Sequence, residues 1–170
     1  MTTAEWSADW IEVTVSGFFK TEHELGSAAG TLGRLTIPTL KKTCVFQGAD
    51  GQTLAMRQPS VWKQEYELRA GGELLGQAWS PGVFRRDLIV QWRDQEYALQ
   101  PVGILTRALR LVDAQGAVLL HVEPRGVFRR GARLQVLAEV ELALLAWVYY
   151  LVYKRWEREA AAAHAAAGSY

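Results

Sequence analysis

The sequence predicts a mainly β fold: a closed antiparallel barrel of about twelve strands, built of duplicated halves, wrapped around one C-terminal hydrophobic helix. Three observations predict it. A period of two dominates residues 10–136, a strand-and-turn pattern recurs after 44 residues, and the uncharged run Leu142–Tyr153 follows them. With 170 residues the chain can bury a sizeable core as one domain. The expected organisation is an N-terminal arm over 1–9, one barrel-plus-helix domain over 10–158, and a flexible alanine-rich tail over 159–170.

The strands come first. Ile11, Val13 and Val15 alternate with Glu12, Thr14 and Ser16, and Gln64, Tyr66 and Leu68 alternate with Glu65, Glu67 and Arg69. Such alternation places one face in a core and the other in water. Turn signals separate the runs at Ala49-Asp50-Gly51, Ala70-Gly71-Gly72, Arg93-Asp94-Gln95 and Asp113-Ala114-Gln115-Gly116. Hairpins are expected near 43–57, 62–79, 86–101 and 107–122. No helical pattern interrupts them, which excludes parallel βαβ architecture. So many short strands need closure, because open edges invite aggregation.

The repeat comes next. Gly82-Val83-Phe84-Arg85-Arg86 recurs as Gly126-Val127-Phe128-Arg129-Arg130. With the same offset Gly72 falls on Gly116, Leu75 on Leu119 and Gln91 on Gln135. Matching turns as well as a matching motif argue for duplication.

Glu139 and Glu141 precede the uncharged run and Lys154, Arg155 and Arg158 follow it, complementing a helix dipole over about 138–160. A helix apolar on every side must be enclosed on every side. A bilayer wants about 20 apolar residues, and reaching that number takes in Gln135, Glu139 and Glu141. A twelve-stranded barrel offers the other enclosure, because its bore is too wide for side chains of the wall alone. On that reading Leu142, Leu145, Trp147, Val148, Tyr149 and Leu151 form the axis of the core.

A duplicated meander ending each unit in Gly-Val-Phe-Arg-Arg, then an apolar helix over Leu142–Tyr153, resembles the tubby C-terminal-like superfamily. Within it the layout is most similar to LURP-one-related and phospholipid-scramblase-like proteins, over residues of about 10–158. The resemblance implies a twelve-stranded barrel around a hydrophobic helix, with lipid or phosphoinositide binding as the activity. Scramblases carry an acidic calcium loop and a cysteine-rich acylation stretch. This chain has neither, so calcium and acylation do not carry over.

Composition narrows the chemistry. Hydrophobic residues make up 49% and charged residues 22%, close to globular averages. Nineteen basic and 18 acidic side chains leave a net charge of +1, which excludes a nucleic-acid binder acting through bulk charge. Arginine outnumbers lysine, and asparagine is absent. The lone Cys44 and an N-terminus without an apolar signal run predict a cytoplasmic protein.

Catalytic and metal signatures are lacking. The run Gly26-Ser-Ala-Ala-Gly30-Thr-Leu-Gly33 is followed by Arg34 and not by the Lys-Ser/Thr of a phosphate loop, so it reads as a flexible loop. Glu22-His23-Glu24 reads as a solvated loop, since neighbours on a strand would point to opposite faces. His121 falls on the outward face of its strand, and Cys44 reads as an inert strand residue. Tryptophans 6, 10, 62, 79, 92, 147 and 156 suit the core, with Trp156 beside Lys154, Arg155 and Arg158 also suited to a lipid surface. No enzyme activity, metal or cofactor is expected.

The basic residues carry the functional expectation. The pairs Arg85-Arg86 and Arg129-Arg130 take equivalent positions in the repeat, Arg125 flanks the second, and Lys41-Lys42 adds a third. Guanidinium forks bind phosphate oxygens two at a time. As strand-start residues, adjacent arginines would share no face. Three readings stay open: a non-enzymatic binder of anionic headgroups, peripheral to a membrane; a structural or protein-interaction barrel whose arginines serve the fold; and a tail-anchored protein spanning a bilayer with 138–158.

Overall fold

Alternation is converted into an inside and an outside wherever a strand finds two neighbours, and here every strand does. The computed structural model describes residues 10–17, 20–40, 42–60, 62–82, 85–126 and 130–168. Twelve strands run in chain order: β1 (Trp10–Ser16), β2 (Lys20–Ser27), β3 (Gly30–Pro38), β4 (Thr43–Gly48), β5 (Thr53–Ser60) and β6 (Glu65–Ala70). They continue with β7 (Glu73–Trp79), β8 (Leu88–Trp92), β9 (Gln95–Pro101), β10 (Leu109–Val112), β11 (Val118–Pro124) and β12 (Gly131–Val136). Each pairs antiparallel with its sequence neighbours, and β1 pairs with β12 through Ile11↔Leu134 and Val13↔Ala132. The barrel is therefore closed and has no free edge.

The expected hairpins form where the turn residues stand. Asp113 shows why: its carboxylate accepts backbone N–H bonds from Gln115 at 2.9 Å and Ala117 at 2.8 Å, closing the β10–β11 turn. The run expected to be a flexible loop is instead the β2–β3 hairpin, with Ala28 and Ala29 as its turn. Its glycine at 33 is a matter of space. A Cβ there would lie 2.3 Å from the Phe46 ring and 2.8 Å from the Gln47 carbonyl.

The bore is filled by one helix, α1 (Leu142–Ala167). Ala143 through Val152 are all buried, so the apolar run expected to form the axis does so. Of the six residues assigned to it, Leu145, Trp147, Val148, Tyr149 and Leu151 are enclosed, and Leu142 packs at the margin. The wall answers with inward Ile11, Leu25, Phe46, Met56, Leu68 and Leu120. Gly76 on β7 makes room for the indole of Trp147, which lies 3.2 Å from where a Cβ would stand. Among the described residues no helix is long and apolar enough to cross a membrane. The segment the tail-anchor reading required is the one the barrel encloses.

The helix starts at Leu142, not near 138, because the chain must first turn from β12 into the bore. It also runs to Ala167, beyond the expected end near 160. Alanine is the strongest helix former, so Ala160–Ala163 propagates a helix already nucleated inside the barrel.

The 44-residue sequence repeat falls on β6–β7–β8 and β10–β11–β12, three strands each, so it does not divide the twelve-stranded barrel into the expected halves. The two copies are offset by four strands, a third of the circuit.

Candidate functional site

In an antiparallel barrel, connections alternate between the two ends. All odd-to-even connections therefore lie at one end and all even-to-odd connections at the other. At the lower mouth α1 begins: Arg93, in the β8–β9 turn, pairs with Glu141 at 3.3 Å. At the upper mouth α1 leaves: the Trp156 indole N–H donates to the Arg107 carbonyl at 2.8 Å, and Arg155 Nη1 donates to the Arg86 carbonyl.

This alternation sorts the charges. Among the described residues, the upper connections hold seven bases (Lys42, Lys63, Arg85, Arg86, Arg107, Arg125 and Arg130) and one acid, Asp87. The lower connections hold one base, Arg93, and five acids: Asp50, Asp94, Asp113, Glu139 and Glu141. A nearly neutral chain is thus folded into an object with a basic and an acidic end.

Several basic residues on the wall make cross-strand pairs, while Arg110 on β10 makes no ion pair among the described residues. Arg34 meets Glu24 at 2.8 Å, Arg57 meets Glu67 at 3.0 Å and Arg133 meets Glu12 at 3.3 Å. At the upper mouth Arg125 also pairs, with Glu12 at 3.0 Å. Lys42, Lys63, Arg85, Arg86 and Arg130 are exposed and make no ion pair among the described residues.

Beside the emerging helix lies a cleft of about 340 Å³ between the β9–β10 connection and α1. Arg86, Arg107 and Arg155 line it with Glu159. Glu159 accepts from Arg155 Nε at 3.1 Å, and the Arg107 guanidinium sits 5.4 Å over the Trp156 ring. Three arginines and one glutamate are thus gathered at this cleft.

Of the residues expected to bind a headgroup, Lys42, Arg85, Arg86, Arg125 and Arg130 share the upper mouth. Lys41 and Arg129 lie outside the described residues, as do the valine and phenylalanine of each repeated motif. Arg85 and Arg86 occupy a loop, not a strand start: they fall in the connection before Leu88, and both are exposed. Strand alternation therefore does not send this pair to opposite faces. Lys63, Arg107 and Arg155 were not assigned to the patch. Only their position between an odd and an even strand, or at the helix exit, could have marked them.

The histidine expectation is overturned. His23 is on β2, fully buried, with Nδ1 2.5 Å from the Tyr149 hydroxyl and Nε2 3.3 Å from Thr21 Oγ1. Burial pushes its pKa down to about 4. Glu22 and Glu24 point outward toward Lys20 and Arg34, so the three do not converge. No metal-binding cluster occurs among the described residues. Cys44 is buried, and burial pushes its thiol up to about 11, the wrong direction for a nucleophile.

No family model matches this sequence, and no curated protein matches it. Among solved structures, it is similar to the X-ray structure of the Arabidopsis thaliana protein AT5G01750. The TM-score is 0.59 at 14% identity, over 85% of this chain and 90% of the other. At that identity the likeness is one of fold, a barrel closed around a helix.

Proposed function

We propose that this chain is a non-enzymatic domain of the tubby C-terminal-like superfamily, of the LURP-one-related and scramblase-like kind, that binds anionic phospholipid headgroups at its upper mouth. The observation that carries the reading is the contrast in pairing. Of the described wall arginines, Arg34, Arg57, Arg69 and Arg133 pair with acids and Arg110 alone does not, while Lys42, Lys63, Arg85, Arg86 and Arg130 face solvent without ion pairs among the described residues. Charges arranged to hold the fold would be paired, as most of the wall arginines are. The cleft of Arg86, Arg107 and Arg155 supplies a seat for a phosphate, and the surrounding bases supply attraction of about 1 kcal/mol each near an anionic surface. Membrane association would be peripheral, in a cytoplasmic setting.

Vesicle flotation tests the reading. Protein should float with vesicles containing phosphatidylserine or phosphoinositide, remain unbound with phosphatidylcholine alone, and be released by high salt. Arg85→Ala/Arg86→Ala removes two exposed charges without touching the core, so affinity should fall about thirty-fold. Unchanged binding would remove these arginines from the site, and no binding at all would favour a protein partner.

A further inference from the structure

The same mouth carries a second feature that charge does not explain. Four large hydrophobic residues are almost wholly exposed: Leu40 at 96%, Trp62 at 94%, Ile104 at 85% and Leu105 at 98%. The other exposed large hydrophobics lie between 36% and 49%. Single exposed apolar residues scattered over a surface mean little. These are not scattered. Leu40 is in the β3–β4 connection, Trp62 in β5–β6, and Ile104 with Leu105 in β9–β10, so all four are on upper-mouth loops.

Each tip has a base beside it: Lys42 two residues after Leu40, Lys63 next to Trp62, and Arg107 two residues after Leu105. We propose that the upper mouth is a membrane-docking face whose tips Leu40, Trp62, Ile104 and Leu105 enter the acyl boundary of an anionic bilayer, the barrel axis standing across the membrane surface. The inference deepens the headgroup reading and rests on it.

The arrangement selects a bilayer over a folded partner. The tips stand on three separate loops around the mouth, Ile104 and Leu105 sharing one. A fluid lipid surface closes around each tip separately, whereas a protein would need a matching hole for each. Basic residues at the tip bases meet phosphates while the tips go deeper, the division of labour of an interfacial amphipathic surface. Tryptophan next to lysine is the pairing favoured at such a boundary. Beyond Glu159 the emerging helix is alanine at every position to Ala167 except His164.

Trp62 reports the insertion directly. On anionic vesicles whose lipids carry bromine in the acyl chains, tryptophan emission should be quenched, and Trp62→Phe should lose most of that quenching. Leu40→Ser/Trp62→Ser should weaken vesicle binding by about tenfold or more while leaving affinity for a soluble inositol phosphate unchanged, since neither residue lines the cleft. Both sites are exposed loop positions, and a thermal melt equal to wild type checks the fold. If vesicles and inositol phosphate bind but no quenching occurs, docking is electrostatic only, and this inference fails while the headgroup reading survives. If neither binds, the headgroup reading fails with it. If the double serine variant instead dissolves a self-associated form and leaves vesicle binding unchanged, the tips serve a second copy of this chain and the inference is overturned.

Discussion

His23 and Tyr149 join the barrel wall to its axis. The imidazole sits among Thr21 on its own strand and Tyr149 and Tyr153 of α1, with the Tyr153 ring edge-on at 4.7 Å. Burial holds it neutral, with a pKa near 4 against 6.5 for a free histidine. Its folded pKa is the lower one, so between pH 6.5 and 4 the unfolded chain takes up a proton that the folded chain refuses. Stability is full above pH 6.5 and declines as pH falls through that window, by on the order of 3 kcal/mol from this group. Urea unfolding at pH 7 and pH 4.5 checks it. His23→Gln keeps hydrogen-bonding atoms without titrating, so its loss on acidification should be the smaller; equal losses would remove His23 as the source. No sequence signal separated this residue from a surface histidine, because Glu22 and Glu24 on either side disguise an inward position.

At the scale of elements, α1 is two things in one continuous helix. Ala143–Val152 lies within the barrel, and the part after Trp156 is exposed. Leu145→Ala would leave a cavity at the centre of the core and cost about 2–5 kcal/mol. Truncation after Glu159 removes side chains that are exposed throughout the described stretch 160–168, and it should change stability by less than about 0.5 kcal/mol. Thermal or urea melts of the two variants measure the contrast, and comparable losses would contradict the division of the helix. The core half of this element was legible in the sequence, since only enclosure explains twelve uncharged residues. Its continuation was less so, because an alanine run reads equally as fraying chain until something nucleates it.

Seen whole, the molecule is a charged axis. Seven upper-mouth bases against one acid, and five lower-mouth acids against one base, are described at opposite ends of one barrel. Such an object approaches an anionic surface with one end forward. Asp94→Lys and Asp113→Lys change the net charge in the direction that favours anionic binding, yet they sit at the far mouth. Flotation on anionic vesicles at physiological salt should leave their affinity within about two-fold of wild type, since the Debye length there is about 8 Å. A large gain would show that net charge and not its placement governs binding. Asp113 also closes its turn, so Asp94→Lys is the cleaner of the two.

The sequence by itself determined the strands, their turns, the closure and the identity of the central helix, because periodicity and apolar content are local and repeat along the chain. It also singled out the dibasic pairs, although as strand residues. Only the tertiary structure decided that Lys42, Lys63, Arg85, Arg86, Arg107 and Arg130 belong to one mouth, and that Leu40, Trp62, Ile104 and Leu105 stand among them. These residues are spread from position 40 to 130 over five connections far apart in the sequence. What gathers them is parity. A meander that turns back at every strand sends each second loop to the same end, and closure bends those loops into a ring.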